Sequence, residues 1–207
     1  MDLEQMLPTG DQHALLASRG FRDAFGALWI ERSDLEEIAG LLGVDASTRR
    51  DHTLEQATAW LTDWSRPLGE TATIWLGPHS PGWSVAIMLH PAGSMSGSRR
   101  LSAGERRSLD INWLWEVDGL YPLYYQYNDG EVSEEIDAFW DGYLPPGSVF
   151  EPFASGLVRD HGQDDGEEPL AHTFLTIVGR MTGRFIDEDW FRTSGRVYDL
   201  LRQDAQE

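Results

Sequence analysis

The chain has 207 residues, 41% of them hydrophobic and 25% charged, which is a composition typical of a globular protein with one large domain. It contains no cysteine, which excludes disulfides, thiolate metal sites and a cysteine nucleophile. Acidic residues number 35 against 16 basic ones, all of them arginine, and the net charge of −19 disfavours direct binding to a nucleic-acid phosphate backbone.

The sequence shows no segment that would direct the chain to a membrane. Its first residues lack the basic region and the apolar stretch of a signal peptide. No stretch approaches the ~18 apolar residues that a membrane helix requires. We therefore expect a cytoplasmic protein with no membrane partner.

The first half of the chain predicts helices and strands in turn. A short apolar run at 25–30 has the length of a buried strand. Ser33 and Glu36 have the spacing of a capping box, for a helix that ends at Gly43. The elements predicted up to residue 105 are helices at 12–18, 33–43 and 53–64, strands at 25–30, 71–76 and 83–89, a turn at 77–82, a loop at 91–100 and a helical turn at 102–105.

Residues 109–137 give the clearest pattern, that of an antiparallel meander. Along 109–117, apolar side chains alternate with polar ones, as in a strand with one buried face. The Asp-Gly pairs at 118–119 and 129–130 are typical of hairpin turns. We therefore expect three consecutive antiparallel strands. The side chains expected to face the helices are Ile111, Trp113 and Trp115.

The last part of the chain predicts helices. Residues 159–168 are acidic and contain no apolar side chain, so we expect a loop. Pro169 has the position of a first-turn proline in a helix that ends at Gly183. With a last helix capped by Asp187, residues 168–203 are expected to form C-terminal helices.

The order of these elements is typical of an α+β fold, because helices come first, then strands, then helices again. We expect an antiparallel β-sheet with helices packed mainly on one face and a C-terminal helical segment. The whole chain, residues 1–207, is expected to be a single domain.

Several short motifs recur in an order that resembles a known family. They are Trp29-Ile30, Leu41-Leu42-Gly43-Val44-Asp45, Gly82-Trp83-Ser84-Val85, Leu101-Ser102-Ala103-Gly104, Tyr127-Asn128-Asp129-Gly130 and Met181-Thr182-Gly183. Their order over about residues 22–203 resembles a family of uncharacterised actinobacterial proteins, a domain of unknown function. An acidic residue often follows the Trp-x-Val strand in that family, whereas this chain has Met88-Leu89-His90 there. The resemblance implies a fold and a host, and no activity.

Motifs for catalysis and cofactor binding are missing or incomplete. The 93–97 segment has Met95 where a nucleophile elbow has its serine. No two of the six histidines have the spacing that places two imidazoles on one helix face. Without lysine there is no phosphate-binding P-loop, and the acids at 160–165 do not follow the calcium-loop pattern. We therefore expect no cofactor and no bound metal.

Carboxylates supply the candidate catalytic residues. Asp110, on the polar side of the clearest strand, and Glu134 are candidates for general acid–base catalysis. Asp137 and Asp141 form another candidate pair. Glu134 and Glu135 are not expected to act together, because adjacent residues of a strand point to opposite faces.

Arginines and aromatic residues supply the candidate binding surfaces. A short segment with one acidic residue carries four of the 16 arginines. They are Arg99, Arg100, Arg106 and Arg107. These arginines either pair with the chain's own carboxylates or hold an anionic group of a partner. The nine Trp, six Tyr and eight Phe side chains either fill the core or include a partly exposed aromatic surface.

Three functions fit these observations. The preferred hypothesis is a non-enzymatic cytoplasmic protein that binds another protein, with an immunity-like or regulatory role. It follows from the excess of one charge and the many aromatic residues, in a chain without a catalytic motif. The alternative is an enzyme with carboxylate acid–base groups, such as Asp110 and Glu134, in a groove on the sheet. A weaker alternative is an acidic mimic of nucleic acid.

Overall fold

The computed structural model describes residues 6–62, 72–90, 98–157 and 166–200. Within these ranges the side chains of Thr62, His90, Ser98 and Arg99 are not described. The strands are β1 (Ala24–Ile30), β2 (Val44–Thr53), β3 (Ala72–Ser80), β4 (Trp83–His90), β5 (Arg107–Leu114), β6 (Gly119–Leu120), β7 (Leu123–Tyr127), β8 (Val132–Ile136) and β9 (Ser194–Leu200). The helices are α1 (Gln12–Leu16), α2 (Leu35–Leu42), α3 (Leu54–Ala57), α4 (Ser98–Leu101), α5 (Glu151–Ala154), α6 (Glu168–Thr182) and α7 (Glu188–Phe191).

All nine strands belong to one antiparallel sheet. Its order is β2-β9-β3-β4-β1-β5-β7-β8, and the short β6 pairs with β5 beside that path. Strand β1 lies in the middle and is buried over nearly its whole length, as its apolar sequence predicts. Strands β2 and β8 are the two edges.

The sheet separates two apolar cores. The larger core, on what we call the major face, packs strand residues such as Trp29 and Trp113 against α1, α3, α5, α6 and α7. The smaller core, on the minor face, packs Leu28 and Tyr198 against α2 and α4. Five of the seven helices thus contribute to the larger core. The α+β fold with helices mainly on one face is confirmed.

Helix α6 is the central helix of the major face. Pro169 lies in its first turn and Gly183 ends it with φ at 82°, a left-handed conformation that suits glycine. The guanidinium of Arg180, which is 2% exposed, donates hydrogen bonds to the carbonyls of Met6, Phe153 and Ser155. This side chain therefore ties the N-terminal segment and the end of α5 to α6.

The predicted meander is confirmed. Strands β5, β7 and β8 follow one another and pair antiparallel. Residues 128–130 turn the chain between the last two, all with positive φ. Ile111 and Trp113 are buried in the larger core, and Trp115 packs against it from a turn, since β5 ends one residue earlier, at Leu114.

Several predicted boundaries are wrong. Helix α4 begins within the loop expected at 91–100, and residues 102–105 form a turn that is not helical. The rest of that loop, and most of the loop expected at 159–168, lie outside the described residues.

The N-cap of α2 is Asp34 rather than Ser33, because the Asp34 carboxylate accepts hydrogen bonds from the N–H groups of Glu36 (2.9 Å) and Glu37 (3.3 Å). The turn expected at 77–82 is shorter. Strand β3 continues to Ser80, because residues 77–80 pair with β4 despite their Gly and Pro.

The last predicted helix is also wrong in part. Asp187 caps α7 as expected, but the helix ends at Phe191 and residues 194–200 form strand β9. Strand β9 pairs with β2 on one side and β3 on the other. A Cβ at Gly195 would lie 2.5 Å from the Trp75 ring, so this glycine permits the close packing there.

Strand β2 was not predicted at all. Its sequence, VDASTRRDHT, has no run of apolar residues, and as an edge strand it has a single buried residue, Val44. Among the described helices, none is both long enough and apolar enough to span a bilayer.

Candidate functional site

A groove lies where the edge strand β8 ends. Strand β8 pairs with β7, with Tyr124 opposite Glu135 and Leu123 opposite Ile136. The chain leaves the sheet after β8 and passes back near its end. The space between them, which we call the 135–145 groove, has a volume of about 370 Å³. Its lining includes Glu135, Asp137, Phe139, Trp140, Asp141 and Tyr143.

Two turns of the same kind present aromatic side chains at this groove. The Asp137 carboxylate accepts a hydrogen bond from the Phe139 N–H (2.9 Å), and the Asp141 carboxylate accepts one from the Tyr143 N–H (2.9 Å). Such a bond from an Asp side chain to the backbone two residues on stabilises a turn locally. Phe139 is 85% exposed and Tyr143 is 67% exposed, so both rings are available to a ligand.

Trp140 anchors the segment that carries these two rings. It is 6% exposed and packs in the larger core. Its indole N–H donates a hydrogen bond to the Tyr143 carbonyl (2.6 Å). The buried Trp140 side chain therefore holds one wall of the groove in place, although the neighbouring rings of Phe139 and Tyr143 are exposed to solvent.

The groove carries negative charge that no ion pair among the described residues neutralises. None of the ion pairs between described residues includes Glu135, Asp137 or Asp141. This charge affects the pKa of Tyr124, which lies opposite Glu135 on the minor face. Burial raises the pKa of the Tyr124 hydroxyl. The negative charge of Glu135, a hydrogen bond with the Glu135 carboxylate and the negative charge of Asp110 raise it further.

Asp110 lies one strand further into the sheet on the same face, opposite Tyr124. Its carboxylate accepts a hydrogen bond from the Asn112 amide nitrogen, and the amide oxygen of Asn112 is buried without a hydrogen-bond partner. Burial raises the pKa of Asp110 to about 7, although the hydrogen bond from Asn112 acts to lower it. Both protonation states are therefore populated near neutral pH, which is the condition that general acid–base catalysis needs.

The side chain of Glu134 lies on the major face of the sheet, opposite to the face that carries Asp110. It pairs with Tyr125, and its carboxylate accepts hydrogen bonds from the Ser148 hydroxyl (2.8 Å) and the Val149 N–H (3.1 Å). These bonds hold the chain after the groove against β8. Asp110 and Glu134 lie on opposite faces, so they cannot act on one substrate in a single groove.

The four arginines of the sequence-predicted binding segment have different surroundings. Arg107 donates two hydrogen bonds to the Glu31 carboxylate (2.7 and 2.8 Å), and its guanidinium lies 5.1 Å from the centre of the Trp83 ring. Arg100 and Arg106 are exposed, and no ion pair or hydrogen bond joins their side chains to a described residue. Arg99 belongs to α4, but its side chain lies outside the described residues. Arg107 thus pairs with the chain's own acid, and the docking role of the cluster stays a prediction.

The most buried histidine, His79, has a structural role. The Trp190 indole N–H donates to its Nδ1 (3.0 Å), which leaves Nε2 to donate to the Thr182 hydroxyl (2.9 Å). Burial lowers the pKa of His79 to about 3, so the ring is neutral. Among the residues that the structure describes, no group of three or more His, Asp or Glu side chains is placed to hold a metal ion.

No protein-family model, curated protein or solved structure matches the chain. The resemblance to uncharacterised actinobacterial proteins therefore stays a prediction. The geometry of the described residues is what remains to support a function.

Sequence reasoning found the carboxylates of the groove but missed its aromatic residues. The sequence predicts Asp137 and Asp141 as an acid–base pair, and it gives Phe139 and Tyr143 no role. The signal that would have found them is local, because each Asp is followed two residues later by an aromatic side chain, in D-A-F and D-G-Y. An Asp turn at each position places that aromatic residue outside the sheet.

Proposed function

We propose that this protein binds a basic segment of another protein in the 135–145 groove. The observation that supports it is the combination of two exposed aromatic rings and three carboxylates that form no ion pair with a described residue, all in one open groove. A guanidinium or ammonium group is attracted to a carboxylate and also to the face of an aromatic ring. The net charge of −19 further favours a partner that is basic.

Binding of this kind depends on several contacts made together. An exposed ion pair contributes only ~0.2–1 kcal/mol, and an exposed cation–π contact about 0.5–1 kcal/mol. A single basic side chain would therefore bind weakly. A segment with several basic residues can reach Glu135, Asp137 and Asp141 at once.

The test uses a defined probe, an acetylated and amidated peptide of sequence Arg-Val-Arg-Val-Arg-Val, and measures its affinity by calorimetry at low salt. The variant Glu135→Gln, Asp137→Asn, Asp141→Asn removes the three charges. Asparagine keeps the two turns, because its side-chain oxygen accepts the same backbone hydrogen bond. We expect the affinity to fall about tenfold or more, which corresponds to ~1.4 kcal/mol.

A control variant separates the groove from the overall charge. Glu36→Gln, Asp51→Asn, Glu55→Gln changes the net charge by the same amount at exposed acids near the other edge of the sheet. We expect it to bind the peptide as the unmodified protein does, within about twofold. Equal losses in the two variants, or no binding by the unmodified protein, would contradict the proposal.

Acid–base catalysis by Asp110 is a second candidate, favoured by its pKa of about 7 beside a buried amide oxygen. The direct test is the titration of the Asp110 carboxyl carbon by NMR. An apparent pKa near 7 would support the candidate. A value near 4 would leave Asp110 ionised at neutral pH and unsuited to donate a proton.

A further inference from the structure

Strand β8 is an edge that no described element covers. It pairs with β7 on one side, and no backbone hydrogen bond from another described segment reaches its other side. Val132, Ser133 and Glu135 are exposed. An uncovered edge has N–H and C=O groups that are able to pair with a strand of another chain.

The alternation of hydrogen bonds identifies which groups point outward. In an antiparallel pair, both backbone groups of a residue point to the same neighbouring strand, and the direction alternates along the chain. At the two ends of β5, the Arg107 carbonyl accepts from the Glu31 N–H, and the Trp115 N–H donates to the Asp23 carbonyl. The backbone N–H and C=O groups of the odd-numbered residues of β5 are therefore directed toward β1, and those of Asp110 are directed toward β7.

The same alternation continues across β7. Asp110 pairs with Tyr124, so Tyr124 directs its backbone groups toward β5. The next residue, Tyr125, directs its groups toward β8, where it pairs with Glu134. The backbone groups of Glu134 are therefore directed toward β7. Those of its two neighbours in β8 are directed outward, to the open side of the edge strand. The outward-pointing residues are Ser133 and Glu135.

Charge decides which chain pairs with this edge. A second copy of the protein would place its own acidic β8, and a net charge of −19, beside Glu135. Like charges on paired strands are destabilising, so a second copy is disfavoured. A basic strand instead places cations beside Glu135 and leads into the groove at the end of β8.

We propose that the basic segment of the partner adds to the sheet as an antiparallel strand along β8, bonded to the outward backbone groups of Ser133 and Glu135. This inference rests on the proposed function and specifies how the partner is held. In an antiparallel pair, a partner residue opposite Glu135 has its side chain on the minor face and its N–H toward β8. Basic residues at alternate positions of the partner fit that face.

Backbone methylation of the probe peptide tests the proposal directly. Methylating the backbone nitrogens of the arginines in Arg-Val-Arg-Val-Arg-Val removes the N–H groups that would face β8. Methylating the backbone nitrogens of the valines instead removes the N–H groups that would face solvent. We expect the first peptide to lose about tenfold or more in affinity relative to the second, the equivalent of one or two hydrogen bonds. Equal affinities of the two methylated peptides would overturn strand addition and leave the proposed function standing.

A proline in the protein gives an independent test. Ser133→Pro removes one outward N–H without touching the bonds to β7, and proline is tolerated where an edge N–H faces solvent. Asp51→Pro is the matched control on β2. Leu54 donates to the Thr193 carbonyl, so even-numbered residues of β2 face β9 and Asp51 faces outward.

We expect Ser133→Pro to weaken binding of the unmodified peptide about tenfold and Asp51→Pro to leave it unchanged, with both variants folded by circular dichroism. Full affinity in a folded Ser133→Pro variant would overturn strand addition. If Ser133→Pro does not fold, the comparison of the two methylated peptides decides. Loss of binding only on neutralising the groove would support the proposed function without the added strand.

Discussion

The two edges of the sheet carry opposite arrangements of charge. At β2, Arg49 bonds both Glu36 (3.0 Å) and Asp51 (3.1 Å), and Arg50 bonds Asp199 on the neighbouring strand (3.1 Å). Strand β8 contains no arginine, and none of its carboxylates forms an ion pair with a described residue. The β2 edge therefore neutralises its own charge, whereas the carboxylates of the β8 edge have no cation partner among the described residues.

This difference shows two ways of protecting a sheet edge from unwanted pairing. Strand β2 has a bulge between Asp45 and Arg50 and a surface of internally paired charges, which make it a poor template for any strand. Strand β8 is regular and short, and only its negative charge keeps other chains away. Charge of one sign repels acidic chains and attracts basic ones, so this protection also selects a partner.

The most damaging way to break the comparison is to remove the anchor beside β8. Truncating a buried tryptophan costs ~3–5 kcal/mol, so we expect Trp140→Ala to lower the free energy of unfolding by about 3 kcal/mol in urea titrations. Phe139→Ala, at the exposed neighbour, should change it by less than about 0.5 kcal/mol. Similar losses in the two variants would show that the groove wall does not depend on Trp140.

A half-buried acid toward each edge of the sheet, Asp199 in β9 and Asp110 in β5, sharpens the comparison through pH. Asp199 has Arg50 as its partner, whereas among the described side chains the Asp110 carboxylate accepts a hydrogen bond from the Asn112 amide alone. Because the folded pKa of Asp110 is about 7, above the ordinary value of 3.8, the folded state binds the extra proton between about pH 4 and 7. Its contribution to stability is thus present at low pH and lost as the pH rises through 7.

The variant Asp110→Asn should therefore stabilise the protein more as the pH increases. We expect a gain of about 2 kcal/mol in the free energy of unfolding at pH 8 and almost none at pH 4, measured by urea titration. The neutral, buried His79 makes the free energy of unfolding change with pH in the opposite direction. Because His79 is present in both the unmodified protein and the variant, its effect cancels in the difference between them. A gain that does not change with pH would contradict the raised pKa.

Removing one carboxylate near each edge of the sheet should lower the free energy of unfolding by unequal amounts. The Asp199 carboxylate accepts hydrogen bonds from Arg50 (3.1 Å) and the Thr73 hydroxyl (3.0 Å), so Asp199→Ala should cost ~1–2 kcal/mol. Glu135→Ala removes an exposed charge that forms no ion pair with a described residue, and it should change the stability by less than about 0.5 kcal/mol. Thermal unfolding of the two variants at pH 7 measures both effects, and equal losses would mean that the β8 edge is also paired.

The smallest expected effect concerns self-association. Glu135→Val removes the charge that disfavours pairing of two β8 edges, and the effect should appear when salt screens the remaining charge, above about 0.5 M. Light scattering should then show an increase in mean mass with protein concentration. Asp51→Val, the equivalent change on β2, should stay monodisperse, and equal association of the two variants would contradict the charge argument.

The parts of the fold that could be predicted depend on local signals. The Asp-Gly turn at 129–130 sets the β7–β8 hairpin through positive φ values, and Pro169 and Gly183 mark the two ends of α6. Strand β9 depends on distant partners instead. Its seven residues contain too few apolar positions to distinguish a strand from a helix, and only the gap between β2 and β3 decides.

The candidate site shows the same division. The polar side of β5 identified Asp110, and adjacent positions on one strand separated Glu134 from Glu135 by face. That Asp110 and Glu134 lie on opposite faces follows from the register across β7, which pairs Asp110 with Tyr124 and Tyr125 with Glu134. The groove itself requires β8 to end beside Asp137, which no periodicity in the sequence specifies.

The position of β9 also has a consequence for biosynthesis. Strand β2 leaves the ribosome before its partner β9, which is made about 140 residues later, ~7–28 s at ordinary translation speeds. Until then, β2 cannot complete the sheet, so this edge must assemble after most of the chain has been synthesised. The polar sequence that hid β2 from prediction gives the nascent chain little apolar surface there during that wait, and so limits its exposure to chaperones and to aggregation.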